Sequence, residues 1–311
     1  MSVTILICTR DNTASLERTL SSIAVQDVAA DMSWRVVVVN NASSDDTSRR
    51  LERFAKLIDL QVIDEARPGL SIARNTGVAQ ARSDYIIFTD DDVTVPADWV
   101  GAYAAAFRRY PDAAFFGGDI DPVFPGAGAS RARALATAAG SCFARFRTGP
   151  RDTRIDAAGN PKLYPFGANM AFRTDALKQF RFDEDLGRRS DGLVLSGEET
   201  GVIADMVAAG QVGYLVAHNP VQHWIAPSRQ TLEYVAQYYH GQGWQQASVA
   251  ASSPSWASQL DRTLSPVIAQ LFSLARRIVR WLPSETANIW IERQHGHFSG
   301  RVAAFLEDDK Y

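Results

Sequence analysis

Four short apolar runs, each rich in β-forming residues and separated by segments of helical spacing, fill most of the first hundred residues and restrict the fold more than any other feature of the chain. Val3 to Cys8, Trp34 to Val39, Leu60 to Ile63 and Tyr85 to Thr89 read as strands. Between them, Leu16, Leu20 and Ile23 and then Leu51, Phe54, Ala55 and Ile58 recur at helical intervals, and Ser71 to Ala81 suits a third helix. Strands joined through helices require crossovers, so the expected fold is α/β, with a mainly parallel sheet flanked by helices. Ligands of such sheets bind beyond the carboxyl ends of the strands. Three polar clusters follow strand ends here: Thr9-Arg10-Asp11, Asn40 to Asp46, and Asp90 to Asp92. They are expected to gather on one edge.

The last of these clusters is the sharpest chemical signal. The run from Tyr85 to Thr89 ends abruptly in Asp90-Asp91-Asp92, and that much like charge at a strand end is costly unless a cation neutralises it. Alternate residues of an extended backbone project to one side, so Asp90 and Asp92 can converge. Two hard oxygen ligands suit Mg²⁺ or Mn²⁺, completed by water and substrate phosphates. The same residues also suit a solvated acidic turn that caps a helix opening near Pro96.

A chain of 311 residues can bury a large core, and a formal net charge of −3 gives no drive toward nucleic acid. Its two cysteines, Cys8 and Cys142, lie far apart, which argues against a disulfide framework or a structural zinc site. The start, Met1 to Ile7, lacks the basic region of a secretory signal, and no apolar run reaches the roughly 20 residues of a membrane-spanning helix. The expected location is cytoplasmic, with a peripheral contact at the inner face of a membrane left open.

Beyond the alternating region, Pro96 is expected to open a helix through Phe107, and Phe115 to Ile120 looks like a strand interrupted by glycines. Residues 122–165 are rich in Gly, Pro, Ala and Arg and read as a long mobile segment. Gly197-Glu198-Glu199 precedes a helix carrying Val202, Ile203, Met206 and Val207, and the chain after about residue 228 reads as mostly helical.

Taken in order, these segments resemble family 2 glycosyltransferases with the GT-A fold, a Rossmann-like architecture. Ile7 to Asn12 is similar to the family's opening strand-end motif, Val38 to Thr47 to its second strand and turn, Gly69 to Gly77 to the segment before the acidic motif, and Thr89 to Asp92 to that motif itself. Phe166 to Phe172, Gly197-Glu198-Glu199 and His223 then follow in the family's order, so the resemblance covers roughly residues 1–240. It implies a GT-A domain over 1–228, with a nucleotide-sugar half (1–110) and an acceptor or catalytic half (111–228), and a helical extension over 229–311. Three positions depart from the pattern. Asn40 stands where the family usually has the Asp that meets the nucleotide base, Asp11 where Asn is frequent, and Glu198-Glu199 where Glu-Asp is common. An amide at 40 keeps an acceptor and adds a donor, so base recognition can differ.

The resemblance implies a metal-dependent, inverting transfer from a nucleotide-diphosphate sugar to the hydroxyl of a sugar, lipid-linked or small-molecule acceptor, in glycan, glycolipid or polysaccharide synthesis. Asp92, helped by Asp90, is the implied site for Mn²⁺ or Mg²⁺, while Asp91 faces the ribose or the sugar. His223 lies where a neutral imidazole could ligate the metal or a charged one could pair with phosphate, and it also suits a satisfied core histidine. His218 is a weaker competitor, and His295 and His297 read as surface residues. Glu199 is the candidate general base and Glu198 the alternative, although both could simply cap a helix. Thr9, Arg10, Asp11, Asn40 and Ser43 form the expected nucleoside pocket. Arg74 could reach the base or diphosphate, or stay an exposed helical arginine. Asn169 could bond the transferred sugar or cap a turn. Ser265 to Leu282, with a broad apolar side and three arginines, suits either an anionic membrane surface or packing on protein.

Other activities fit less well. A sugar-phosphate nucleotidyltransferase or a nicotinamide dehydrogenase would want glycines after the first strand, and Cys8 to Asn12 has none. A non-catalytic nucleotide-sugar binding module would need no base, and transfer or hydrolysis assays separate it from an enzyme.

Overall fold

The computed structural model describes residues 1–188, 194–195, 197–251, 256–279 and 284–308. The chain forms two compact units. The first comprises Met1–Asp121, Ala144–Gly187 and Gly197–Trp224, and the second Pro122–Phe143, Arg188–Ser196 and Ile225–Tyr311.

The alternating region folds as β1 (Ser2–Thr9), α1 (Thr13–Ile23), β2 (Ser33–Asn41), α2 (Thr47–Phe54), β3 (Leu60–Glu65), α3 (Leu70–Gln80) and β4 (Tyr85–Asp90). The short β5 (Val93–Thr94), then α4 (Trp99–Arg109), β6 (Phe115–Gly117) and β7 (Ile120–Val123) follow. Next come α5 (Ala129–Ala138), β8 (Thr153–Ile155), β9 (Met170–Arg173), α6 (Thr174–Leu177), and the short strands β10 (Gly187–Arg188) and β11 (Val194–Leu195). The remainder is α7 (Glu198–Ala208), β12 (Gly213–Leu215), β13 (Val221–Trp224), α8 (Leu232–Ala251), α9 (Trp256–Val279) and α10 (Glu285–Asp308).

The first unit is built on an eight-stranded sheet in the order β3-β2-β1-β4-β9-β6-β12-β8. Strands β3, β2, β1 and β4 are mutually parallel, as crossover helices require, and β9 enters antiparallel between β4 and β6. Strand β1 is central, so Val3 to Ile7 are buried on both faces and read as a continuous apolar run. Leu16, Leu20 and Ile23 bury one face of α1 as their spacing requires. Helix α3 lies very close to β1 at Gly77, where an added Cβ would collide with the tip of Leu6, coming within 2.8 Å of Cδ2. A small antiparallel pair, β5 with β13, sets His223 opposite Val93.

The middle of the chain differs from its sequence reading. Residues 122–165 contain helix α5, a 3₁₀ turn over Gly140–Phe143 and strand β8, which pairs with β12. Alanine-rich composition conceals the helix, and a three-residue strand leaves no period to detect.

In the second unit α8, α9 and α10 are the long helices the C-terminal sequence suggests, and α10 packs on α8, α9 and α5. Gly296 and Gly300 allow α10 to approach the α8 backbone at Ala236 and His240, where a Cβ would clash. His295 and His297 are therefore partly buried within this helix packing, and not the surface residues expected. Residues 265–279 of the arginine-bearing segment lie in α9, with Leu264, Val267, Leu271 and Leu274 exposed; 280–282 lie outside the described residues. Among the described residues no helix is long and apolar enough to cross a membrane.

Candidate active site

All the sequence-derived site residues belong to the first unit. The parallel register places Thr9 beside Asn40, Asn40 beside Asp64, and Cys8 beside Asp90, so the three polar clusters do share one edge of the sheet. Asp11 ties two of the loops together. Its Oδ1 accepts from the Ser44 amide at 2.6 Å, and its own amide donates to Ser43 Oγ at 3.1 Å. The Ser44 amide holds the Asp11 carboxyl below its ordinary range. Arg10 is exposed beside it.

Asn40 is buried, and its amide group donates to Ser48 Oγ at 3.0 Å and to Asp64 Oδ1 at 2.8 Å. The carboxylate can only accept, which fixes the amide's orientation and leaves Asn40 Oδ1 as a buried acceptor with no partner among the described residues.

The three aspartates after β4 play different parts. Asp91 is engaged by the protein itself: its carboxylate accepts from Thr9 Oγ1 at 2.6 Å and from Asn12 Nδ2 at 2.8 Å, buttressing β4 against the end of β1. Burial, and then the neighbouring charge of Asp92, push its carboxyl up to about 7. Asp92 Oδ1 lies 3.3 Å from Nε2 of the buried His223. Asp90 is partly exposed, with Oδ1 3.8 Å from Arg74 Nη2, and burial raises its carboxyl against the opposing pull of Arg74.

Arg74 is not the exposed helical arginine that its sequence position allowed. Only 3% of its side chain is accessible, and it stands over the Phe182 ring. Its Nη1 donates to Glu198 Oε1 at 3.1 Å and its Nη2 to Glu199 Oε1 at 3.3 Å. One buried guanidinium thus serves three carboxylates, which raise its pKa against burial. Glu198 is buried, its Oε2 without a hydrogen-bond partner among the described residues, and burial followed by the charge of Glu199 raises its carboxyl. Glu199 is the more accessible of the two, at 14% against 7%.

Asn169 lies beneath the site and not at its surface. It is fully buried, with Oδ1 accepting from Trp99 Nε1 at 2.9 Å and Tyr103 OH at 2.8 Å, and Nδ2 donating to the carbonyls of Asp119 and Asn219. A side chain so occupied has no bond left for a sugar, so the expected contact is replaced by a structural role. His218 adopts a positive φ of 60° in the loop before β13.

Sequence reasoning missed Arg74 as the shared counter-ion, Asn12 as a support for Asp91, and the Gly167 amide, which donates to Glu199 Oε1 at 3.1 Å. Charge balance offered a signal for the first: Asp90, Asp92, Glu198 and Glu199, expected at one site, called for a buried cation.

Among the described residues no group of three or more His, Cys, Asp or Glu side chains is arranged to hold a metal by itself. The donors present suit a hard cation bound partly through substrate. Asp92 and His223 already converge, Asp90 stands beside them in the same acidic run, and the carboxylates outnumber the buried cation.

Against known proteins, the model for "Glycosyl transferase family 2" matches residues 4–181, more than half of the chain. The S. aureus TarS 1-349 structure in complex with UDP-GlcNAc is similar over 99% of this chain and 92% of that one, with a TM-score of 0.58 at 14% identity. The mannosyltransferase PcManGT from Pyrobaculum calidifontis, in complex with GDP-Man and Mn²⁺, is similar over 98% and 87%, with a TM-score of 0.58 at 17% identity. The glycosyltransferase EpsJ of Bacillus subtilis (strain 168) is 38% identical over 80 residues, which span 25% of this chain and only 21% of that protein. The family match ends before Glu198, Glu199 and His223, yet the fold carries these residues to the same sheet edge as the matched motifs, and the chain belongs to glycosyl transferase family 2 and is a glycosyltransferase.

Proposed function

We propose that this glycosyltransferase moves a sugar from a nucleotide-diphosphate sugar to an acceptor hydroxyl in a single inverting displacement, with Mn²⁺ or Mg²⁺, in the assembly of glycans, glycolipids or polysaccharides. The observation that carries this reading is the meeting of two acidic groups on one guanidinium: Asp90 of the metal-type cluster and Glu199 both reach Arg74 Nη2. The pairing of leaving-group and acceptor chemistry at one point is what a one-step displacement needs. TarS has been solved with UDP and with UDP-GlcNAc, and PcManGT with GDP-Man and Mn²⁺, which supports a nucleotide-sugar donor and a divalent cation.

Asp92, Asp90 and His223 would hold the cation, which when bound neutralises charge on the diphosphate. Thr9, Arg10, Asp11, Asn40 and Ser43 would form the nucleoside pocket, with the buried acceptor Asn40 Oδ1 at its floor. Asp91 keeps the acidic turn in place through Thr9 and Asn12. Glu199 would accept the proton of the attacking hydroxyl, which belongs to a sugar, a lipid-linked glycan or a small molecule.

The test is turnover of a panel of UDP-, GDP-, dTDP- and CDP-sugars with Mn²⁺, read as released nucleoside diphosphate. Glu199→Gln should lower turnover by about 10²-fold or more while leaving diphosphate binding little changed, because a base acts in the transition state. Full turnover in that variant would remove Glu199 from the role, and retention of anomeric configuration in the product would overturn the single displacement.

A further inference from the structure

The two oxygens of Glu199 have unequal surroundings. Oε1 accepts from the Gly167 amide at 3.1 Å and from Arg74 Nη2 at 3.3 Å. Among the described residues no hydrogen bond reaches Oε2, and Glu199 is accessible where Glu198 is closed off. Gly167 leaves just enough room for this: a Cβ there would fall 2.7 Å from Glu199 Oε1 and closer still to Arg74 Nη2. The side chain is thus clamped by one oxygen, by a backbone amide and a buried cation that are themselves fixed.

We propose that Gly167 and Arg74 are positioning residues for the transfer step, holding Glu199 by Oε1 so that Oε2 is the oxygen offered to the acceptor. The inference rests on the reading of Glu199 as the base. In the step, the acceptor O–H proton passes to Oε2 as the acceptor oxygen bonds to the anomeric carbon. The bond from that carbon to the diphosphate oxygen breaks, and its electron pair leaves with the diphosphate. Clamping one oxygen removes the rotations that would otherwise average the base over unproductive positions, an alignment effect worth several powers of ten in favourable cases. Glu198 cannot substitute, because its Oε1 is engaged by Arg74 and its Oε2 is enclosed, with no partner among the described residues. The same guanidinium reaches Asp90, so an altered Arg74 would be felt at both ends of the reaction, whereas an altered Gly167 acts first on Glu199 Oε1 and Arg74 Nη2.

The experiment compares Gly167→Ala, Arg74→Lys and Glu199→Gln for turnover of the sugar-nucleotide panel with Mn²⁺, and for thermal shift with the matching nucleoside diphosphate. Gly167→Ala should lose about 30-fold or more in kcat with the diphosphate shift and KM retained, the pattern of an interaction needed in the transition state. Arg74→Lys, which keeps the charge but not the fork, should lose kcat similarly with a native-like melting temperature. Chemical rescue separates positioning from folding: millimolar guanidinium should restore turnover to folded Arg74→Ala, and ammonium, which has the charge without the fork, should not. Gly167→Ala with turnover within about twofold of the parent, while Glu199→Gln is inactive, would overturn the clamp and leave the base intact. Parallel loss of diphosphate binding and turnover in both Gly167→Ala and Arg74→Lys would make the two residues merely structural and also overturn it. An active Glu199→Gln would instead strike the reading beneath it.

Discussion

Asp92 and His223 meet at 3.3 Å although one ends the acidic run and the other belongs to β13, the strand paired with β5. The register of that short pair, with His223 opposite Val93, is what brings an imidazole to the aspartate. If this pair is the protein's contribution to a divalent cation, diphosphate binding depends on both. Asp92→Ala is expected to abolish the Mn²⁺-dependent thermal shift caused by UDP or GDP, and His223→Ala to reduce it, with melting of the free proteins little changed. A full shift with Asp92→Ala in excess chelator would exclude the metal role.

The raised carboxyls predict an unusual pH response. Asp91 is pushed up to about 7 and Glu198 is also raised, so between the ordinary carboxylate range and neutrality the folded protein binds more protons than the unfolded chain. Stability contributed by these groups is therefore greatest below that range and lost as pH rises toward the folded values. Glu65, held down to about 2 first by its hydrogen bonds from Arg67, acts oppositely, but only in more acidic solution. In chelator, the melting temperature should fall by a few degrees between about pH 5.5 and 7.5. Asp91→Asn should flatten the slope. Melting that rises across that interval would contradict the assigned direction.

Helix α9 bears on acceptor choice. Leu264, Val267, Leu271 and Leu274 are exposed along it, and Arg277 is exposed at its end. This pattern leads us to propose peripheral binding to anionic membranes, which would suit a lipid-linked acceptor. The protein should co-sediment with vesicles containing phosphatidylglycerol, and Leu271→Glu with Leu274→Glu should release it. Equal sedimentation with neutral and anionic vesicles, or none, would assign the apolar face to protein contacts instead.

The strands β1, β2 and β4 were legible as short continuous apolar runs and α1 by the helical spacing of its buried face, and a parallel sheet then fixes which ends gather. Asp90, Asp92 and Thr9 followed from that. Arg74 did not, because its partners Glu198 and Glu199 lie 124 and 125 residues away and no local pattern records them. Asn169 was misplaced for a related reason. A lone asparagine after Gly-Ala can face a ligand or cap a turn, and only the approach of Trp99 and Tyr103 from α4 shows that it lies in the interior.

Gly77 makes the core part of this chemistry. It presses α3 onto Leu6 of β1, and Arg74 rides on the preceding turn of the same helix. The distance between helix and sheet is therefore also the reach of the guanidinium toward Glu199 and Asp90. A methyl group added at 77 touches no substrate and meets only the tip of Leu6, but any shift of α3 that relieved the contact would also move the counter-ion relative to its carboxylates. A lesion that looks like a packing defect would thus emerge as a slow enzyme.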